Sequence, residues 1–334
     1  MSDDASPPEE PAPGRGRFAW IVVVLAVAGL AAGILAASLG GGSGSRVKVA
    51  GEVELPPPPP PAPDATPDPA LVEDSPDGKL PIIGPDGRQP WQVYARPVDP
   101  AERRPRIALV VTGLGLDTDR TRAAVAKLPP AVTLAFSPYT HELVTWIAAA
   151  RKAGHEVLLG LPMEPLDYPR QDPGPETLLT TLDPAQNLER LRWVMSRGTA
   201  YVGLVGVMGE RFTATRASLE PVLDALKTRG LMFIDNHRAA DSAVPDLGRV
   251  LGMAWGVADR RIDPDMMAPA IDQSLADLER VAAESGAALG LGEMTPLLLD
   301  RVTAWAPTLD VKGLALVPAS AVAMRQVAAT KAAQ

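Results

Sequence analysis

The stretch GHEVLLGLPMEP, Gly154 to Pro165, decides how this chain is read. Val157, Leu158, Leu159 and Leu161 form an apolar run without polar alternation, the mark of a strand covered on both faces. Pro162 is expected to stop the strand, and Glu164 follows it. A strand ended by proline and followed by an acid presents that acid at the carboxyl end of a sheet, where α/β proteins build their sites. The plainer reading of Glu164 is a solvated loop acid. His155 and Glu156 precede the strand and so belong to its opposite end. His155 is expected to be structural and Glu164 to face a ligand.

The same unit recurs on both sides. Ile107 to Val111, Ala131 to Phe136, Tyr201 to Val205, Leu231 to Ile234, Ala287 to Leu291 and Gly313 to Leu316 read as further strands, with a weaker one at Met253 to Val257. Helical stretches separate them. Asp117 caps one that runs to Leu128, Glu142 to Lys152 is another, and Asp183-Pro184 opens a third with Leu188, Leu191 and Met195 on its inner face. Ala217 to Thr228 and Ala268 to Glu284 complete the set. The alternation predicts an α/β fold with a mostly parallel sheet, either an irregular (β/α) barrel of seven to eight strands or a doubly wound sheet. Both build their site from the loops after the strands. Those loops carry Thr112-Gly113, Ser137-Pro138, Pro162 to Glu164, Gly206 to Arg211, Asp235 to Arg238, Asp263 and Glu293.

Composition narrows the partners. A net charge of −8 argues against nucleic acid, which needs clustered Lys and Arg. The absence of cysteine excludes disulfides, thiolate catalysis and Cys-based zinc sites.

Before residue 106 the chain is organised differently. Residues 1–17 are polar and end in Arg15 and Arg17, and Phe18 to Leu39 follow without a charge. As a helix, residues 18–39 would be about 33 Å long, enough to cross a membrane, with the arginines held on the cytoplasmic side. A cleaved signal peptide is the rival, since Ala36-Ala37-Ser38 offers small residues, but the apolar run is longer than a usual signal core. Residues 40–78 read as a Gly/Ser- and Pro-rich linker, with Pro56 to Pro61 forming a polyproline rod. Residues 79–105 read as an ordered lead-in anchored by Trp91 and Tyr94. The expected location is the cytoplasmic membrane, with the domain on its outer side.

The runs ALVVTGLG, VTLAFSPY, GHEVLLGLPMEP, DPGPETLL, VGLVGVMGERFT and FIDNHR, in this order over residues 106–328, resemble the divergent polysaccharide deacetylases. These belong to the glycoside hydrolase/deacetylase superfamily, and the resemblance implies an irregular (β/α) barrel and a carbohydrate-related protein of the cell envelope. It also exposes departures. Metal-dependent relatives carry paired aspartates where this chain has Thr112 and Gly113. They carry a histidine where it has Gly160, Asn-His-Met-Gly-Ser where it reads Gly206-Val207-Met208-Gly209-Glu210, and Gly-His-Pro where it reads Gly292-Glu293-Met294. Asp235, Asp263, His155 and Glu164 match family positions. A zinc deacetylase needs about three His or Asp ligands and an open position for water. No metal and no cofactor are therefore expected, with zinc conceivable only at a rearranged site.

Three readings follow. In the first, the chain binds a cell-envelope glycan without catalysis, using Glu164, Glu210, Arg211, Asp235, His237 and Glu293. In the second, it is a hydrolase or deacetylase with a rearranged site, in which Asp235 and Asp263 act as a carboxylate pair or His237, Glu210 and Glu293 replace the lost ligands. In the third, it is an interaction module that docks on an envelope protein. A loop histidine and a turn-capping aspartate are the plain readings of His237 and Asp235.

Overall fold

The computed structural model describes residues 66–262, 265 and 267–323. The apolar run 18–39 and Asp263 lie outside them; among the described residues no helix is long and apolar enough to cross a membrane. Ordered structure begins earlier than the sequence suggests. β1 (Val72–Ser75), within residues assigned above to the linker, forms a hairpin with β2 (Gly78–Pro81). The hairpin turns at Pro76-Asp77, and Gly78, which opens β2, has a φ of 132°. A short helix, α1 (Pro90–Val93), completes the lead-in.

From residue 106, strands and helices alternate. The strands are β3 (Arg106–Leu114), β4 (Thr133–Phe136), β5 (Val157–Met163), β6 (Gly203–Met208), β7 (Met232–Asp235), β8 (Trp255–Val257), β9 (Arg260–Arg261), β10 (Ala287–Glu293) and β11 (Ala315–Val317). Between them run α2 (Thr118–Lys127), α3 (Leu143–Lys152), α4 (Pro184–Ser196), α5 (Glu210–Ala214), α6 (Arg216–Thr228), α7 (Val244–Leu251), α8 (Ala268–Ser285) and α9 (Pro296–Trp305). The caps read from the sequence are present. Asp117 accepts from the amides of Asp119 and Arg120, and Asp183 forms a capping box with Gln186.

The sheet is parallel throughout, in the order β8-β7-β6-β5-β4-β3-β10-β9, with β11 added to the first residues of β3. It curls into a half-barrel. One segment, Trp255 to Arg261, carries both ends of the order: β8 pairs with β7, and β9 pairs with β10.

Successive β3 residues serve two cores. Ile107, Leu109 and Val111 pack with the helices, while Ala108 and Val110 pack on the opposite face with Leu71, Tyr94 and the small residues Ala319 and Ala321 to Ala323. The lead-in and the C-terminal segment thus fill one side of the sheet at the strand N-termini. Arg151, fully buried, donates to the Tyr94 carbonyl at 3.0 Å and stacks over the Tyr94 ring. Glu156, also fully buried, accepts from Thr133, from the Ser320 amide and hydroxyl and, at 3.4 Å, from the Arg96 amide. One carboxyl therefore joins lead-in, sheet and C-terminus. His155 lies beside it, with Nδ1 2.9 Å from the Val132 carbonyl.

β5 does not stop at Pro162; it continues through Met163 in register with Met208. The missing proline N–H removes no ladder bond, because a residue's N–H and C=O point the same way and here face the edge that β4 has already left. Leu178 of the following loop fills that edge, donating to the Pro162 carbonyl at 2.9 Å and accepting from the Glu164 amide.

Candidate functional site

At the carboxyl ends of the strands lies a cavity of about 310 Å³. β3 contributes Thr112 and Gly113, the end of β4 and the loop after it contribute Phe136 to Tyr139, and β5 contributes Gly160 and Pro162. β6 supplies Val205 to Met208, the end of β7 supplies Asn236 and Arg238, and Arg261, Leu291 and Glu293 close the wall. The lining is mainly apolar, with a few polar groups converging on it, the usual make-up of a small-molecule site.

The floor is where the departures from the family pattern meet. The Thr112 hydroxyl donates to the Gly292 carbonyl at 3.2 Å, so it faces a neighbouring strand. Gly113 has a φ of 75°, a conformation that strains any side chain, and a β-carbon there would stand 3.1 Å from Cγ of Glu293. A β-carbon on Gly160 would stand 2.9 Å from Cγ2 of Val207. Val207 and Glu293 thus fill the space where side chains at positions 160 and 113 would project. Among the described residues, no group of three His, Cys, Asp or Glu side chains could hold a metal ion. They do not fit the donor set that a catalytic zinc needs.

The residues singled out in the sequence separate. Glu293 lines the cavity. Glu210 accepts from Arg238 at the rim, with its second oxygen buried and unbonded. Glu164 is only 5% exposed and is held by its own loop. Its Oε2 accepts from the Thr180 amide at 2.5 Å and the Thr180 hydroxyl at 2.7 Å, and its Oε1 lies 3.3 Å from Nε of Arg211. Arg211 also donates to the Leu166 carbonyl. The pair clamps the loop after β5 and is absent from the cavity wall.

Asp235 is fully buried. Its Oδ1 accepts from the His237 amide at 2.9 Å, and its Oδ2 is buried without a hydrogen bond of good geometry. Burial pushes its carboxyl above the usual carboxylate range, against the opposing pull of Ser242 and His237. His237 is exposed, sits at a φ of 52°, and contacts the Ala258 carbonyl through Nδ1. Neither residue lines the cavity.

Asn236 and Arg238, which line it, fall in the loop Asp235 to Arg238 expected to build the site, but the sequence reading singled out only Asp235 and His237 from it. Asn236 Nδ2 donates to the carbonyls of Gly206 and Met208 at 2.9 and 2.8 Å. It thereby holds the tight turn in which Met208, at a φ of 56°, leaves the sheet. Such strain gathers where a site shapes the backbone.

The chain is similar to a known family and to known proteins. The profile of the family described as divergent polysaccharide deacetylase matches residues 109–323. The crystal structure of an uncharacterized Agrobacterium tumefaciens C58 protein superposes with a TM-score of 0.72 at 37% identity, covering 73% of this chain and 99% of that one. An uncharacterized Escherichia coli K12 protein, YibQ, is 28% identical over 135 residues, which span 39% of this chain and 40% of that protein.

Proposed function

The chain belongs to the divergent polysaccharide deacetylase family, and from that premise we propose that it is a cell-envelope glycan-binding protein in which metal-dependent deacetylation has been lost. Residues 18–39 hold it in the cytoplasmic membrane, and the Pro-rich linker carries the domain outward to the glycan. The observation that carries this reading is the cavity floor. The strand ends at which relatives hold or serve a metal bear Thr112, Gly113, Gly160 and Val207, and two of those positions are backed by intruding side chains. What remains is a concave, largely apolar site whose wall carries Ser137, Asn236, Arg238, Arg261 and Glu293, polar groups of the kind that orient a hydroxyl-rich ligand.

A carboxylate-pair hydrolase is less well supported. Such chemistry needs two acids facing one bond. Glu293 is the one acid among the described wall residues, and Asp235 is buried away from the wall.

The test is cosedimentation of the full chain, in detergent, with purified peptidoglycan. Retention should be lost in a Ser137→Trp variant that fills the cavity. Absence of retention, or retention unchanged by Ser137→Trp, would count against the reading.

A further inference from the structure

Beside the cavity mouth, two aromatic rings from distant parts of the chain meet. Tyr139, in the loop after β4, lines the cavity. Its ring centroid lies 5.6 Å from that of Trp193 on α4, at an interplanar angle of 37°. Trp193 in turn lines a second hollow of about 300 Å³, shared with Glu176, Gln186, Glu189 and Arg190. Both rings are half-buried and held in place. The Tyr139 hydroxyl accepts from the Glu176 amide at 3.0 Å, and the Arg197 guanidinium sits 5.0 Å over the Trp193 ring. Among the described residues the Glu176 and Glu189 carboxylates make no ion pair or hydrogen bond, although both line the hollow.

We propose that Tyr139, Trp193 and this adjoining hollow form a second sugar subsite, which receives the next units of a linear oligosaccharide whose end occupies the central cavity. The proposal rests on the glycan-binding reading above. A pyranose has a face of C–H groups and a rim of hydroxyls. A rigid aromatic ring covers the face at little entropic cost, and unpaired carboxylates and an arginine satisfy the rim. Tyr139 belongs to the walls of the cavity and its ring meets the Trp193 ring that lines the hollow, so the aromatic pair stands between the two compartments.

The experiment titrates the full chain, in detergent, with the disaccharide and the hexasaccharide of N-acetylglucosamine by calorimetry. The wild type should bind the hexasaccharide on the order of tenfold more tightly than the disaccharide. Trp193→Ala should erase that gain and leave the disaccharide affinity unchanged, and Trp193→Tyr should restore part of it. Glu189→Ala, on the exposed surface of α4, should weaken the hexasaccharide alone and does not depend on how the core tolerates loss of Trp193. Equal affinities for the two sugars, or variants that weaken both alike, would overturn the subsite and leave the cavity reading standing. No binding of either sugar by the wild type would overturn both.

Discussion

A β-carbon placed on Gly160 would stand 2.9 Å from Cγ2 of Val207, well inside ordinary carbon contact. The two positions lie on neighbouring parallel strands and claim one volume. Val207 holds it, and Gly160 is the residue that lets it do so.

Gly160→Ala should therefore destabilise the fold by about 1–3 kcal/mol through overpacking. Combined with Val207→Ala, most of that cost should disappear. Chemical denaturation of the wild type, both single variants and the double variant gives the coupling, expected at about 1 kcal/mol or more. Additive effects would mean that the two side chains do not share the space.

Glu164 makes a second case. Its carboxylate joins Thr180 to Arg211 and so pins the loop between β5 and α4. Glu164→Ala should cost about 1–3 kcal/mol by leaving those donors unpaired, and limited proteolysis should cut within residues 166–182. His155→Ala should also destabilise, but at the other end of the strand, with no new cleavage in that loop. A stable Glu164→Ala protein with an unchanged digest would return Glu164 to the ligand-facing role read from the sequence.

Glu156 sets a pH dependence. Burial raises its carboxyl above the usual range, outweighing the bonds from Ser320, Thr133 and Arg96. Between its ordinary value and the raised one, the folded state holds a proton that the unfolded state has released. The stability contributed by the neutral carboxyl is complete below that ordinary value and is lost as pH rises through the raised one. Asp235 acts in the same direction. Buried His155, with its pKa lowered by burial, acts oppositely, losing stability as pH falls. Glu156→Gln, which keeps the shape and removes the titration, should flatten the fall in stability with rising pH in urea denaturation. An unchanged pH profile would place the dependence elsewhere.

How much of this could be read in advance depended on whether the information was local. Apolar runs, Asp117, Asp183-Pro184 and the long helix after Met267 are local signals, and the strands and helices that carry them fall where they lie, whereas α7 and β9 were not read. Pro162 misled because its effect depends on which edge its missing N–H would face, and β4's early end decides that. Glu164 misled for the same kind of reason, since Thr180 and Arg211, which hold it, are remote in sequence. The departures at Thr112, Gly113, Gly160 and Val207 were legible one by one. That Val207 fills the space over Gly160, or that Tyr139 meets Trp193, follows only from strand register and helix placement.

Membrane topology is tested separately. Protease added to spheroplasts should digest the domain if residues 18–39 anchor it with Arg15 and Arg17 on the cytoplasmic side. Full protection would place the domain inside the cell.

The most direct test of the central claim is acetate release from N-acetylglucosamine oligomers and peptidoglycan by the full chain, with and without added zinc, cobalt or manganese. A bound metal lowers the pKa of water to about 7 and so supplies a nucleophile at neutral pH. General base catalysis alone gives about 10²–10⁴-fold, short of the about 10⁶-fold or more typical of enzymes. Release should stay at background under every condition. Metal-stimulated release that a chelator abolishes would contradict the account.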